Sequence, residues 1–175
     1  MKSKTTELLS LMKILSWIIF IGLCIKTGAI LISFGVSLFV NEGAAENLYL
    51  GLNLSGLHDF SMVHYVLIVP LLVSLTALKA YLFFLVTRIF SNINLEQPFS
   101  LPVSHLISRI SYIALGSGLI AMAAFGYSEW LAGKGLEIPI HWNASEFLFM
   151  AGIIFVIALL FQRGIEIQSE NELTI

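Results

Sequence analysis

Residues 60–78, 110–128 and 147–162 contain no Asp, Glu, Lys or Arg, and each interval is dominated by Leu, Ile, Phe, Val and Ala. A charged side chain at mid-bilayer costs about 2.5–3.5 kcal/mol on insertion scales, so charge-free intervals of this length read as membrane-crossing helices. A fourth interval, 14–40, is apolar except for Lys26. Its Ile, Leu, Phe and Val residues each return about 0.3–0.6 kcal/mol on the same scale and together outweigh one lysine. At 1.5 Å rise per residue this span is about 40 Å long against a hydrocarbon core of about 30 Å, which predicts tilt or protrusion.

Composition points the same way: 58% of the 175 residues are apolar and 11% charged, where soluble domains run near half and about a quarter. The formal net charge of -2 supplies no basic excess for phosphate contacts, so direct nucleic-acid binding is not expected. A single cysteine, Cys24, excludes an intramolecular disulfide and a dithiol centre; it is expected to be a buried apolar filler. The predicted fold is all-α, an integral membrane four-helix bundle forming one domain over 1–175, with spans at about 14–40, 62–87, 107–130 and 144–162. A signal peptide at the start is disfavoured, because the apolar run far exceeds a signal core of about 7–15 residues.

Lys2, Lys4, Lys13, Arg88, Arg109 and Arg163 fall on one side of an alternating chain, and only Lys134 on the other. The positive-inside rule then predicts both termini in the cytoplasm (N-in/C-in), with the multi-pass protein in the cell's inner, cytoplasmic membrane. The turn 88–106 and the tail 163–175 are cytoplasmic in this reading, and 41–61 and 128–145 lie outside. Tyr127, Trp130 and Trp142 gather at the outer boundary, as interfacial aromatics do. Ser100, between Pro98 and Pro102, is expected to cap a helix that runs through Arg109 into the third span. Pro70 should kink the second span.

Gly22, Lys26, Ala29, Ser33 and Ser37 share a helix face by spacing, as do Ser104, Ser108, Ser111, Ala114, Gly118 and Ala121 in the third span. Small residues let helices approach closely, so the two stripes are expected to pack together. Lys26 then looks into the bundle. Lys79, with Thr76 on its face, is expected about 13 Å from the inner boundary on a neighbouring helix, and Lys26 about 20 Å beyond Lys13. Lys26, Lys79, Ser33 and Thr76 thus form a candidate intramembrane polar site with no carboxylate inside any span. Three states are open to these lysines: neutral, snorkelling to a headgroup, or holding an anion. His58, Asp59, His64 and His141 lack metal-ligand spacing, and no phosphate loop, nucleophile elbow or carboxylate pair is present. No metal, cofactor or catalysis is expected.

The tail 163–175 is acidic yet carries Ile165, Ile167, Leu173 and Ile175. Two uses are open for these aliphatics: extending the fourth helix onto the turn at Pro98 and Phe99, or docking a partner through Pro98, Phe99, Arg163, Glu166, Glu170 and Glu172. Gln97-Pro98-Phe99-Ser100 and this tail resemble the DUF2975 family of bacterial membrane proteins, a resemblance covering nearly the whole chain. The resemblance implies similar size and span count, no established biochemical activity and no catalytic residues to carry over. Genes of the family often accompany a small helix-turn-helix regulator, which implies a membrane partner for a transcription factor.

The expected function is therefore a sensory or regulatory membrane partner of a small helix-turn-helix regulator, with the lipid bilayer and a second copy as further partners. The alternative is a small oligomeric transporter or export subunit for an anionic solute, drawn by the two lysines.

Overall fold

The computed structural model describes residues 2–94 and 98–172, with side chains described over 4–94 and 98–170. Expectations placed on Gln97, the Glu172 side chain, Leu173 and Ile175 lie outside the described residues. The order is α1 (Lys2–Phe39), a 3-10 turn (Glu42–Glu46), α2 (Ser55–Phe60), α3 (Met62–Asn92), α4 (Leu101–Ala132) and α5 (Ala144–Glu172). Apart from the short α2, all four helices are long and apolar enough to cross a membrane, and the chain is a multi-pass membrane protein. α3 and α4, at 31 and 32 residues, would each exceed the hydrocarbon core by about half its thickness.

Element boundaries follow local chemistry. Ser100 stands in extended conformation at the N-cap of α4, with Pro102 in its first turn. The position is as expected, but the Ser100 hydroxyl makes no capping bond. α3 continues through Pro70, whose ring lies on the exposed face. Between α1 and α3 the chain folds into a cap. Asn41 accepts from Gly43 N, Leu54 N donates to Ala45 O, and Ala45, Leu48, Leu54 and Leu57 are buried beneath.

Helices pack with their neighbours in the sequence: α1 on α3, α3 on α4, and α4 most extensively on α5. In the most apolar window of each, 39% of α3 and of α4 is buried, against 6% of α1 and 17% of α5, so the middle pair forms the core. Among the described residues α1 does not pack on α4, which corrects the expected pairing of the two small-residue stripes. α1 instead meets α3 along a seam at seven-residue spacing, Ser16, Leu23, Ile30 and Ser37, flanked by Phe20 and Phe34. Gly22 lies outside that seam, exposed with nothing within reach, Ala29 and Ser33 are half-buried, and Cys24 is exposed where a buried filler was expected.

The stripe on α4 is taken up by α5. Ser104, Ser111, Ala114, Gly118 and Ala121 are all buried, and Ser111 Oγ donates across to Ala151 O at 3.0 Å. A Cβ at Gly118 would stand 2.7 Å from Leu148 Cδ2 and 3.3 Å from its backbone nitrogen. Close approach thus depends on glycine here, beside a buried row at seven-residue spacing (Val103, Ile110, Ser117, Ala124, Leu131) that does not include it. Lacking strands among its described residues, the molecule is a row of antiparallel helices. One end carries both termini and the α3–α4 turn (the terminal end), and the other carries the cap and the α4–α5 connection (the loop end).

Gly118→Val should lower the thermal midpoint of the detergent-solubilised protein, an overpacking cost of about 1–3 kcal/mol. Gly116→Ala, at a position with nothing within 4 Å, should leave it unchanged or higher. Equal midpoints for the two variants would show that α4 and α5 are not in this contact.

Candidate functional site

The connection from α4 to α5 is not a loose loop. Leu136, Ile138, Ile140 and Trp142 turn toward the core while Glu137, Pro139, His141 and Asn143 stay exposed. That alternation has the period of an extended chain, so residues 136–143 form a strap lying along the helices, with a tight turn at Pro139, where Ile140 N donates to Ile138 O, and Asn143 left-handed at φ 55° where α5 begins. Trp142 pins it: the indole is buried, and Nε1 donates to Ser128 Oγ at 2.9 Å, which donates in turn to Ala124 O. The strap runs back from the end of α4 to the middle of α3, and α5 begins there, beside Lys79.

Under the strap is a cavity of about 300 Å³ lined by Lys26, Lys79, Thr76, Tyr49 and Leu75, with Pro139 to Asn143 forming one wall. A volume of this size suits a small ligand or a lipid headgroup. The Lys26 Nζ lies 5.8 Å from the centre of the Tyr49 ring, and the Lys79 Nζ lies 5.1 Å from that of Phe147. Both distances suit a cation facing an aromatic ring, a contact that holds the ammonium without neutralising it. No carboxylate lines the cavity. Glu146, in the first turn of α5, borders a neighbouring groove. It is hydrogen-bonded to Ser145 and Asn143.

The polar set expected from the sequence is partly assembled. Lys26, Lys79 and Thr76 meet in one cavity, whereas Ser33 is not among its lining residues. Ser33 shares the face of Lys26 but sits two helical turns, about 10 Å, further along. The Thr76 hydroxyl is turned to its own helix, donating to Val73 O and Leu72 O, so it contributes surface and not a free donor. Lys79 stands beside the first turn of α5, among Asn143, Glu146 and Phe147, and so at the polar start of a helix.

Tyr49, His141, Trp142 and Asn143 complete the wall and were not anticipated; the period-two run Leu136, Ile138, Ile140, Trp142 was the available signal. Two further polar contacts join helices at the loop end. Buried Tyr65 meets Ser37 Oγ at 2.7 Å; because Ser37 donates to Phe34 O, the tyrosine is the donor. His64 Nδ1 and Tyr127 Oη are 2.6 Å apart. At the terminal end, Phe99 packs edge-on to Phe161 with ring centroids 5.2 Å apart. Its ring also lies where a Cβ on Gly164 would be. α5 therefore extends through the expected tail to Glu172 and lies on the turn at Phe99. Pro98 is half-buried, Glu170 is exposed, and Arg163 pairs with Glu166 on the exposed side of the helix.

Trp142→Ala should release the strap. Trypsin cleavage after Lys134 in the purified full-length protein should accelerate severalfold, and stability should fall by about 3–5 kcal/mol as a buried indole is lost. Glu137→Gln, on the exposed side of the strap, should change neither; an unaltered digestion rate in Trp142→Ala would mean that the strap is not held by this contact.

Residues 57–175 match the profile of a family described as "Protein of unknown function (DUF2975)". No curated protein and no solved structure matches the chain. The match is narrower than the nearly whole-chain resemblance expected: it takes in Lys79, the strap and α5 and leaves Lys26 outside. With well over half its length inside that match, from α2 through the last helix, the chain belongs to the DUF2975 family.

Proposed function

We propose that this protein is a sensory or regulatory membrane protein that reads an anionic ligand at the two-lysine cavity and passes the signal along α5 to a small helix-turn-helix regulator. The observation that carries the reading is that Lys26, Lys79 and residues 139–143 of the strap wall one cavity free of carboxylates. The strap leads directly into α5, so a ligand there bears on a helix whose far end packs on Phe99. A ligand with different affinities for two placements of α5 shifts their populations, and the surface around Phe99, Arg163, Glu166 and Glu170 changes with them. The distribution of Lys and Arg supports an N-in/C-in orientation in the cytoplasmic membrane, which turns the cavity outward and that surface toward the cytoplasm. No catalytic role is part of this reading.

A transporter for an anionic solute is the second reading, supported by the same lysines. Because the helices form a row, a pathway would need a second copy to close it.

The docking part is tested by co-purification with a small helix-turn-helix regulator, the kind of neighbour that the family resemblance implies. Full-length protein should retain it. Truncation after Gln162, or the charge reversals Glu166→Lys and Glu170→Lys in the full-length chain, should reduce recovery about tenfold. Equal recovery from all of these forms would overturn tail docking.

A further inference from the structure

The lysine cavity does not end at Lys79. On the other side of that residue an apolar groove of about 380 Å³ runs between α3 and α5, sharing Lys79 and Asn143 with the cavity. Its walls are Leu82 and Val86 from α3 and Met150 and Ile154 from α5, with Ile110 of α4 as its floor. Lys79 to Val86 on one wall and Phe147 to Ile154 on the other each cover two helical turns, so the groove follows the helix axes for about 10 Å. Cationic groups at one end and a hydrocarbon-lined channel directed away from them match one shape of molecule. We infer that cavity and groove together bind an anionic lipid, its phosphate between Lys26 and Lys79 and the start of one acyl chain in the α3–α5 groove.

Charge complementarity selects the anion. The cavity wall offers two ammonium groups and no carboxylate. Glu146 borders the groove beyond Lys79 and disfavours a second negative charge there, so the phosphate belongs on the Lys26 side. Position selects a lipid over a soluble anion. α5 begins beside Lys79, so polar backbone and side chains reach the depth of the lysines at the molecule's own lipid-facing flank, and the groove opens from there along two membrane-crossing helices. A headgroup phosphate at this level keeps its chain in hydrocarbon, and each buried methylene adds affinity that free phosphate lacks.

This inference rests on the cavity proposed above as the sensing site but is tested without any regulator, so either can fail alone. The purified full-length protein is transferred from detergent into nanodiscs of phosphatidylethanolamine with or without phosphatidylglycerol, and lipid retained on release is counted by native mass spectrometry. Wild type should retain phosphatidylglycerol in preference to phosphatidylethanolamine. Lys26→Gln and Lys79→Gln should each reduce that preference about tenfold, the loss of one charge-assisted contact. Ile154→Trp, which fills the groove and leaves both lysines, should reduce phosphatidylglycerol retention without altering stabilisation by inorganic phosphate. Equal retention of the two lipids would overturn the anion preference. Phosphate protecting the thermal midpoint as well as phosphatidylglycerol does, with no effect of Ile154→Trp, would replace the lipid by a free anion.

Discussion

The close packing of α4 against α5 sets the geometry on which everything else depends. Helices in lipid gain little from burying apolar surface, because lipid tails are as apolar as leucine; they associate where small residues let backbones approach and where polar side chains cross-link them. Gly118 against Leu148 supplies the first condition and Ser111 to Ala151 O the second. Because this contact fixes α5 along the axis, it also fixes where α5 starts. The chain must return from the end of α4 to that start, and it does so as an extended strap. The lysine cavity is the space the strap encloses, and the contact of Phe99 with Gly164 is the opposite end of the same helix.

Polar side chains at the loop end divide this task among the helix pairs. Tyr65 to Ser37 joins α3 to α1, His64 to Tyr127 joins α3 to α4, and Trp142 to Ser128 joins the strap to α4. Each pairs groups that are expensive to leave unsatisfied in an apolar interior, so each specifies its neighbour more sharply than the surrounding Leu and Ile contacts do. Rings add to these contacts along the molecule, Phe34 on Tyr65 at the loop end, Phe20 on Phe84 further along, and Phe99 on Phe161 at the terminal end.

How locally each feature is determined explains which of them could be read in the sequence. The four spans were legible because the cost of a charge in hydrocarbon is large and local, and the start of α4 at Ser100 was legible because proline and serine act within one turn. The pairing of α1 with α4 was misjudged for a definite reason. A small-residue stripe announces a close approach without naming its partner, and that partner is chosen by shape: Leu148 and Ala151 fit Gly118 and Ser111, while the bulky Phe20 and Phe34 of α1 find their match on α3. Lys26 and Lys79 could be singled out from the cost of their charges, but their meeting in one cavity depends on a strap whose register only the tertiary fold reveals. Ser33 shows the limit of face arguments, since a shared face two turns away is still outside the cavity.

The same geometry bounds what a ligand could do in the proposed role. α5 is one helix from the strap to Glu172, so a displacement at Asn143 can reach Gly164 as a rigid-body shift, without a chain of separate side-chain moves. Its motion is opposed by the close approach at Gly118, where Leu148 occupies the space that a Cβ would take. Sliding is thus resisted more than pivoting about that point, and pivoting moves the strap end and the Phe99 end in opposite directions. A tenfold change in population needs only about 1.4 kcal/mol of differential affinity. That is within reach of one charge-assisted hydrogen bond made by a lysine in only one of the two positions, worth about 1.5–3 kcal/mol. Two lysines in a cavity whose lining holds no carboxylate, beside a pivoting helix, are therefore enough in principle to bias the far end, and the ring contact at Gly164 is where that bias would be felt.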